Sequence, residues 1–284
     1  DLDWKEPLRL KVIRQNNGGV AAARNRGLEE VDQSATLIAF LDSDDIWPAN
    51  HLAHAIQAFG SGIDLYFTDN RRSGHHTSYL AECAPETGRA IACSGRKSGV
   101  AEIAADQICG LIVKEFPTQA STVVYKRTVA TDLRFNTKLR AAGEDVLFFS
   151  MLASKARRIG FDLDNCVECG GGVNMYFGNF EWDSPKCIAI RVDQVLAHRL
   201  ISKMVRLSPE SKRLNDKEVI YYRRELAFHV LRNLVKHPAR LPKQIARLGR
   251  SDPAAAMMLP GDLIRVAFGQ MGGLCGVKSK ERRS

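Results

Sequence analysis

The chain has 284 residues, of which 45% are hydrophobic, 26% charged and 7% aromatic. That is too apolar for a disordered polymer and long enough to enclose a sizeable core. No apolar run reaches the ~18 residues of a membrane-spanning helix, and no charged start with an apolar stretch and cleavage site marks a secretory leader. The net charge of +9 is unevenly spread: residues 199–284 hold 19 basic and 7 acidic residues, whereas residues 1–198 hold 22 and 25. Attraction to nucleic acid or to an anionic membrane would therefore belong to the C-terminal third. Seven scattered cysteines fit reduced thiols in a cytoplasmic compartment better than a disulfide framework.

In chain order, residues 8–14 (LRLKVIR) read as a short strand, followed by the turn formers Gln15-Asn16-Asn17-Gly18-Gly19. Residues 20–31 have helix-forming composition. The run ATLIAFL, residues 35–41, reads as a strand covered on both faces, as in a parallel α/β sheet. A helix follows Pro48, with Leu52, Ala55, Ile56 and Phe59 spaced to form one apolar face. Residues 63–68 read as the next strand, and residues 70–99 as a long polar connection. Further on, residues 101–115 read as a helix, 121–126 as a strand, and 144–155 as a helix with Val146, Phe149 and Leu152 inward. Beyond the glycines Gly170-Gly171-Gly172 the pattern is helical, over residues 185–207 and 209–237 and then in shorter pieces. The composition shift near Asp183 divides the chain into residues 1–183 and a basic helical region, residues 184–284. The fold class is therefore α/β with helices on both faces of a sheet, followed by a mostly helical part.

Three clusters carry chemistry. The strand at residues 35–41 ends in Asp42-Ser43-Asp44-Asp45, and α/β sheets bind ligands beyond the carboxyl ends of their strands. Carboxylates crowded there suit Mg²⁺ or Mn²⁺ shared with substrate phosphates; alternatively they form a loop in which Asp45 caps the following helix. The second cluster, Gly18-Gly19 before a helix with Arg24 on it, suits an anion at a helix N-terminus, or is a plain turn with a solvated arginine. The third is Gly143-Glu144-Asp145 at the start of a helix, either a dipole-stabilised cap or a general base at the cleft.

Taken together, NNGGVAAARNRG, LIAFLDSDDIW and GEDVLFF, in this order, resemble the family-two glycosyltransferases of the GT-A fold over roughly residues 8–180. More narrowly, these motifs and Asn174-Met175 after the glycines are similar to bacterial exopolysaccharide glucosyltransferases of the succinoglycan side-chain type. The resemblance implies an inverting, metal-dependent transfer of a hexose, glucose in the narrower match, from a nucleotide sugar such as UDP-glucose to a growing exopolysaccharide or lipid-linked glycan. It assigns Arg24, Asp42 and Asp44 to the nucleotide-sugar site, Asp44 to the divalent metal, and Asp145 to the catalytic base. Family members begin with a strand, a helix and a second strand, which would precede Leu8, so the sheet is expected to lack its first strands. A non-catalytic relative without donor turnover is the alternative.

The remaining features point less sharply. Cys166, Cys169 and Cys187 lack the partner spacing of a zinc site and read as ordinary thiols, and His75-His76 reads as solvated. Lys236, Arg240, Lys243, Arg247 and Arg250 form a solvated face, or attach the enzyme to anionic lipid at the inner face of the plasma membrane. With no reader motif in the basic segment, nucleic acid is not an expected partner.

Overall fold

A computed structural model describes residues 10–94, 96–97, 100–170, 184–236 and 238–269. In chain order the elements are α1 (Val20–Glu29), β1 (Leu37–Ala39), α2 (His51–Gly60), β2 (Leu65–Arg72), α3 (Tyr79–Glu82), α4 (Pro85–Cys93), β3 (Arg96–Lys97) and β4 (Val100–Ile103). There follow α5 (Ala105–Glu115), β5 (Val123–Lys126), α6 (Glu144–Lys155), β6 (Ile159–Cys169), α7 (Pro185–Met204), α8 (Pro209–Lys236), α9 (Leu241–Ser251) and α10 (Pro253–Ala267).

The six strands form one sheet in the order β1-β5-β2-β6-β4-β3. Strand neighbours alternate side chains between two cores, because successive residues of a strand point to opposite faces. Leu65, Phe67, Val123 and Tyr125 join the larger core, which continues into α5, α6, α7 and α8. Tyr66 and Val124 join the smaller one, against Ala55, Ala58 and Phe59 of α2. Helices thus cover both faces, as the apolar run of residues 35–41 predicts.

The expected parallel arrangement is corrected. Only β2 and β6 run parallel; β5 inserts antiparallel to both β1 and β2, and β4 runs antiparallel to β6. Double-sided burial follows from the helices on each face and is indifferent to strand direction, so the apolar run could not report it.

Other expectations shift as well. Residues 10–14 form no strand, and residues 8–9 lie outside the described residues. The inward face of α2 is His51, Ala55, Ala58 and Phe59, while Ile56 is exposed. The connection over residues 70–99 contains the end of β2, two helices and β3. Ser78 caps α3 through its side chain, and Pro85 opens α4. The helix read from residue 101 starts at Ala105, since Val100–Ile103 pairs with β6. Asn174, Met175 and the boundary at Asp183 lie outside the described residues. Among the described residues no helix is long and apolar enough to cross a membrane.

Candidate active site

The acidic loop after β1 is fixed from both sides. The Asp42 amide donates to Ser121 Oγ at 2.9 Å, and the Trp47 indole donates to the Ser121 carbonyl at 2.7 Å. Ile46 exchanges two backbone hydrogen bonds with Glu168 near the end of β6, at 2.8 and 3.0 Å. One residue past β6, the Gly170 amide donates to Asp45 Oδ1 at 3.0 Å. A Cβ on Gly170 would stand 2.0 Å from the Asp44 carbonyl oxygen, so only glycine lets the two backbones approach. Asp45 therefore does not cap α2. Burial, aided by Asp42 and Asp44, pushes its carboxyl above the ordinary range. Asp44, on the outer side of the loop, is exposed.

Arg24 reaches this loop from the middle of α1. Its guanidinium donates from Nη2 to both Asp42 oxygens, at 2.9 and 2.8 Å, and Nη1 lies 3.6 Å from Glu144 Oε1. The guanidinium carbon sits 5.4 Å above the Phe135 ring. Only 12% of the Arg24 side chain is exposed. Burial disfavours its charge, but Asp42, Asp145 and Glu144 outweigh that and hold its pKa above the usual value.

The third motif arrives on the first turn of α6. Gly143 precedes it in the left-handed region, with φ 82°. A Cβ there would stand 2.7 Å from the Ala197 Cβ of α7, so the turn into α6 demands glycine twice over. Glu144 is buried and Asp145 retains partial access to solvent, and Asp145 Oδ1 accepts from the Val146 amide at 2.8 Å.

A helix start by itself lowers the pKa of a carboxyl placed there. At Asp145 burial instead prevails over both Arg24 and the amide, and raises it. Burial and the neighbouring Asp145 push Glu144 up to about 8. Two crowded carboxyls beside one guanidinium cannot both ionise at ordinary cost.

Asn25 joins the first and third motifs and has no counterpart in the sequence reading. Its amide group donates to the Phe135 carbonyl at 2.9 Å and its oxygen accepts from the Phe135 amide at 2.7 Å. The Phe135 ring in turn stacks on Phe148 of α6 at 3.8 Å. Arg24, Asp42, Glu144 and Asp145, drawn from segments 100 residues apart, thus share one cluster, with Asp44 on the rim beside it.

The cysteines are bystanders. Burial raises the thiol pKa of Cys166, and that of Cys169 to about 12, so both stay protonated. His75 and His76 are exposed.

Residues 3–81 match the family model described as glycosyl transferase family 2. The succinoglycan biosynthesis protein ExoW of Rhizobium meliloti (strain 1021) is 32% identical over 189 residues, 65% of this chain and 58% of that protein. Over these stretches the chain is similar to the family-two glycosyltransferases. The minor teichoic acid biosynthesis protein GgaA of Bacillus subtilis (strain 168) is 26% identical over 162 residues, 54% of this chain and 32% of that protein. A solved structure, that of S. aureus TarS 1-349, overlays with a TM-score of 0.49 at 14% identity, over 91% of this chain and 73% of that one. The chain therefore spans little more than half of one curated relative and a third of the other. The clustered motifs divide into an exposed carboxylate, Asp44, and a more enclosed pair, Glu144 and Asp145.

Proposed function

We propose that this site moves a hexose, glucose in the first instance, from a nucleotide sugar such as UDP-glucose to a glycan or lipid-linked glycan acceptor with inversion at the anomeric carbon. One observation carries the reading: Arg24 bridges Asp42 and Glu144, so an exposed acidic loop and a buried acid pair face one another across a single cation. The similarity to a protein of succinoglycan synthesis supports the exopolysaccharide acceptor.

Among the described residues no three His, Cys, Asp or Glu side chains form a ready metal site, but a loop carboxylate suits Mg²⁺ or Mn²⁺ when substrate phosphates supply the other oxygens. Asp42 commits both oxygens to Arg24, which leaves the exposed Asp44 as the hard oxygen ligand of the loop. The Asp42 and Asp44 charges, which add to burial in raising the Asp45 pKa, are of the kind a divalent cation offsets. When bound, that cation neutralises the charge gathering on the departing nucleoside diphosphate.

The chain's own residues do the rest. Asp145 accepts the proton of the acceptor hydroxyl as the new bond forms. Its raised pKa suits that task, since a base works best when its pKa approaches the operating pH. Arg24 bridges Asp42 and Glu144, and so fixes the distance between the donor side and the base.

The basic C-terminal helices hold the enzyme at an anionic membrane surface. The exposed Met257 and Ile264 lie on α10 and the exposed Phe268 just after it, with the exposed Arg250 on α9 and Arg265 on α10, a mixture suited to an interface.

The test is UDP-glucose turnover with purified full-length protein and an exopolysaccharide precursor, in Mn²⁺ and in excess EDTA. Transfer only with the metal supports the reading, and undiminished transfer in EDTA refutes it. Binding to anionic but not neutral vesicles, released by salt, tests the membrane part.

A further inference from the structure

The turn that delivers the Glu144–Asp145 pair is held from outside the strand-and-helix layer. Asp193 lies on α7 with its side chain fully buried. One of its oxygens, Oδ2, accepts from the backbone amides of both Arg140 and Ala141, at 2.9 and 2.7 Å. The other, Oδ1, pairs with Arg247 of α9, whose Nη2 also donates to the Lys138 carbonyl at 2.6 Å. The backbone of Asp193 lies against Gly143 itself: a Cβ on that glycine would be 3.6 Å from the Asp193 carbonyl oxygen.

We propose that Asp193 is a positioning residue for the Glu144–Asp145 pair, acting through the turn at residues 140–143, with Arg247 completing the same device from α9. The inference rests on the glycosyltransfer reading above. Its physical basis is the short lever between the clamp and the chemistry. From Ala141, which Asp193 holds, only two residues lead to Glu144, and the chain between them turns through Gly143 in a conformation open to few residues. The other end of the segment is fixed at Phe135 by Asn25. With one end anchored on α1 and the other on α7, the start of α6 has one place to stand relative to Arg24. Slackening the Asp193 end lets the acid pair drift while the acidic loop, tied to Ser121 and β6, stays in place. Misplacing a reacting group by about 1 Å costs on the order of 10²-fold in rate. The basic helical region thereby becomes part of the catalytic framework.

This placement predicts a split between rate and donor binding that a merely structural role would not give. In full-length protein, Asp193→Ala should lower kcat for transfer about 10²-fold while donor KM changes less than about threefold, because Asp42 and Asp44 are held elsewhere. Asp193→Asn keeps an oxygen that accepts from both amides, and should recover about tenfold or more of the lost rate. Amide hydrogen exchange supplies a readout independent of turnover. In Arg247→Ala the amides of Arg140 and Ala141 should exchange about tenfold faster or more, with those of α5 unchanged.

A folded Asp193→Ala protein with normal kcat overturns the proposal, as does a parallel loss in kcat and donor affinity that Asp193→Asn fails to relieve. If Asp193→Ala does not fold, exchange decides: unaltered protection at residues 140–141 in Arg247→Ala overturns the proposal, and selective loss supports it. A wild-type protein that binds donor but transfers nothing defeats the glycosyltransfer reading, and the exchange result then still decides whether Asp193 and Arg247 hold the turn.

Discussion

The two acidic segments of the site are opposites in construction. The loop at Asp42–Ile46 is held by its backbone, through Ser121, Glu168 and Gly170, and presents Asp44 to solvent. The pair on α6 is held by the packing of a helix start, with Glu144 buried and Asp145 enclosed. Chemically identical groups are thereby given different work. An exposed carboxylate is cheap to bring to a cation, whereas an enclosed one resists ionisation and is suited to taking up a proton. Arg24 lies between them and ties one to the other.

That contrast breaks most sharply at Asp145. Asp145→Asn should lower acceptor-dependent transfer by roughly 10²–10⁴-fold, the range of a positioned base, while donor affinity measured by calorimetry stays near normal. If Asp145→Asn transfers at a normal rate and Glu144→Gln does not, the two residues have exchanged roles.

Next in size is the cation between the segments. Arg24→Met removes a charge-assisted fork that is largely buried, and should cost about 1.5–3 kcal/mol in denaturant unfolding at neutral pH. A loss of under half that figure would mean that Arg24 is dispensable to the arrangement.

A third test sharpens the contrast through pH. The Glu144 pKa rises from 4.5 in the unfolded chain to about 8 in the folded one. The folded state therefore holds the proton more tightly, and this contribution to stability is full below about 4.5 and lost as pH rises through about 8. Glu144→Gln cannot ionise, so its stability relative to the wild type should grow between pH 5 and 8 by up to about 1.4 kcal/mol per pH unit, and then level off. Parallel stability curves for the two proteins would show that Glu144 is not held protonated.

How much of this was legible in the sequence follows from which residues act through composition and which through place. The apolar run ending in Asp42-Ser43-Asp44-Asp45 announced its loop, and α6 begins and ends where its pattern indicates. Strand β6 was not recognised. Its stretch IGFDLDNCVEC breaks the apolar pattern with Asp162, Asp164 and Asn165. A register shift against β2 falls at this point, and the buried Asp162 is satisfied by Tyr66 and His54 at 2.8 Å each. Such partners come from β2 and α2, so nothing local to β6 reports them. Gly170, Ser121, Asn25 and Asp193 were silent for the same reason, since each acts on a segment distant in the chain. The raised pKa of Asp145 has no local sign either, because the helix start is a local feature, whereas burial is a property of the whole fold.

Whether the two acidic segments divide the work between them is decided by one comparison of binding. UDP-glucose affinity is measured calorimetrically with and without Mn²⁺ for the wild type, Asp44→Asn and Asp145→Asn in the full-length protein. The division predicts Mn²⁺-dependent binding that Asp44→Asn weakens by about tenfold or more, through loss of a charged ligand, and that Asp145→Asn leaves within about threefold. Equal losses in the two variants, or binding indifferent to both Mn²⁺ and Asp44, would contradict it.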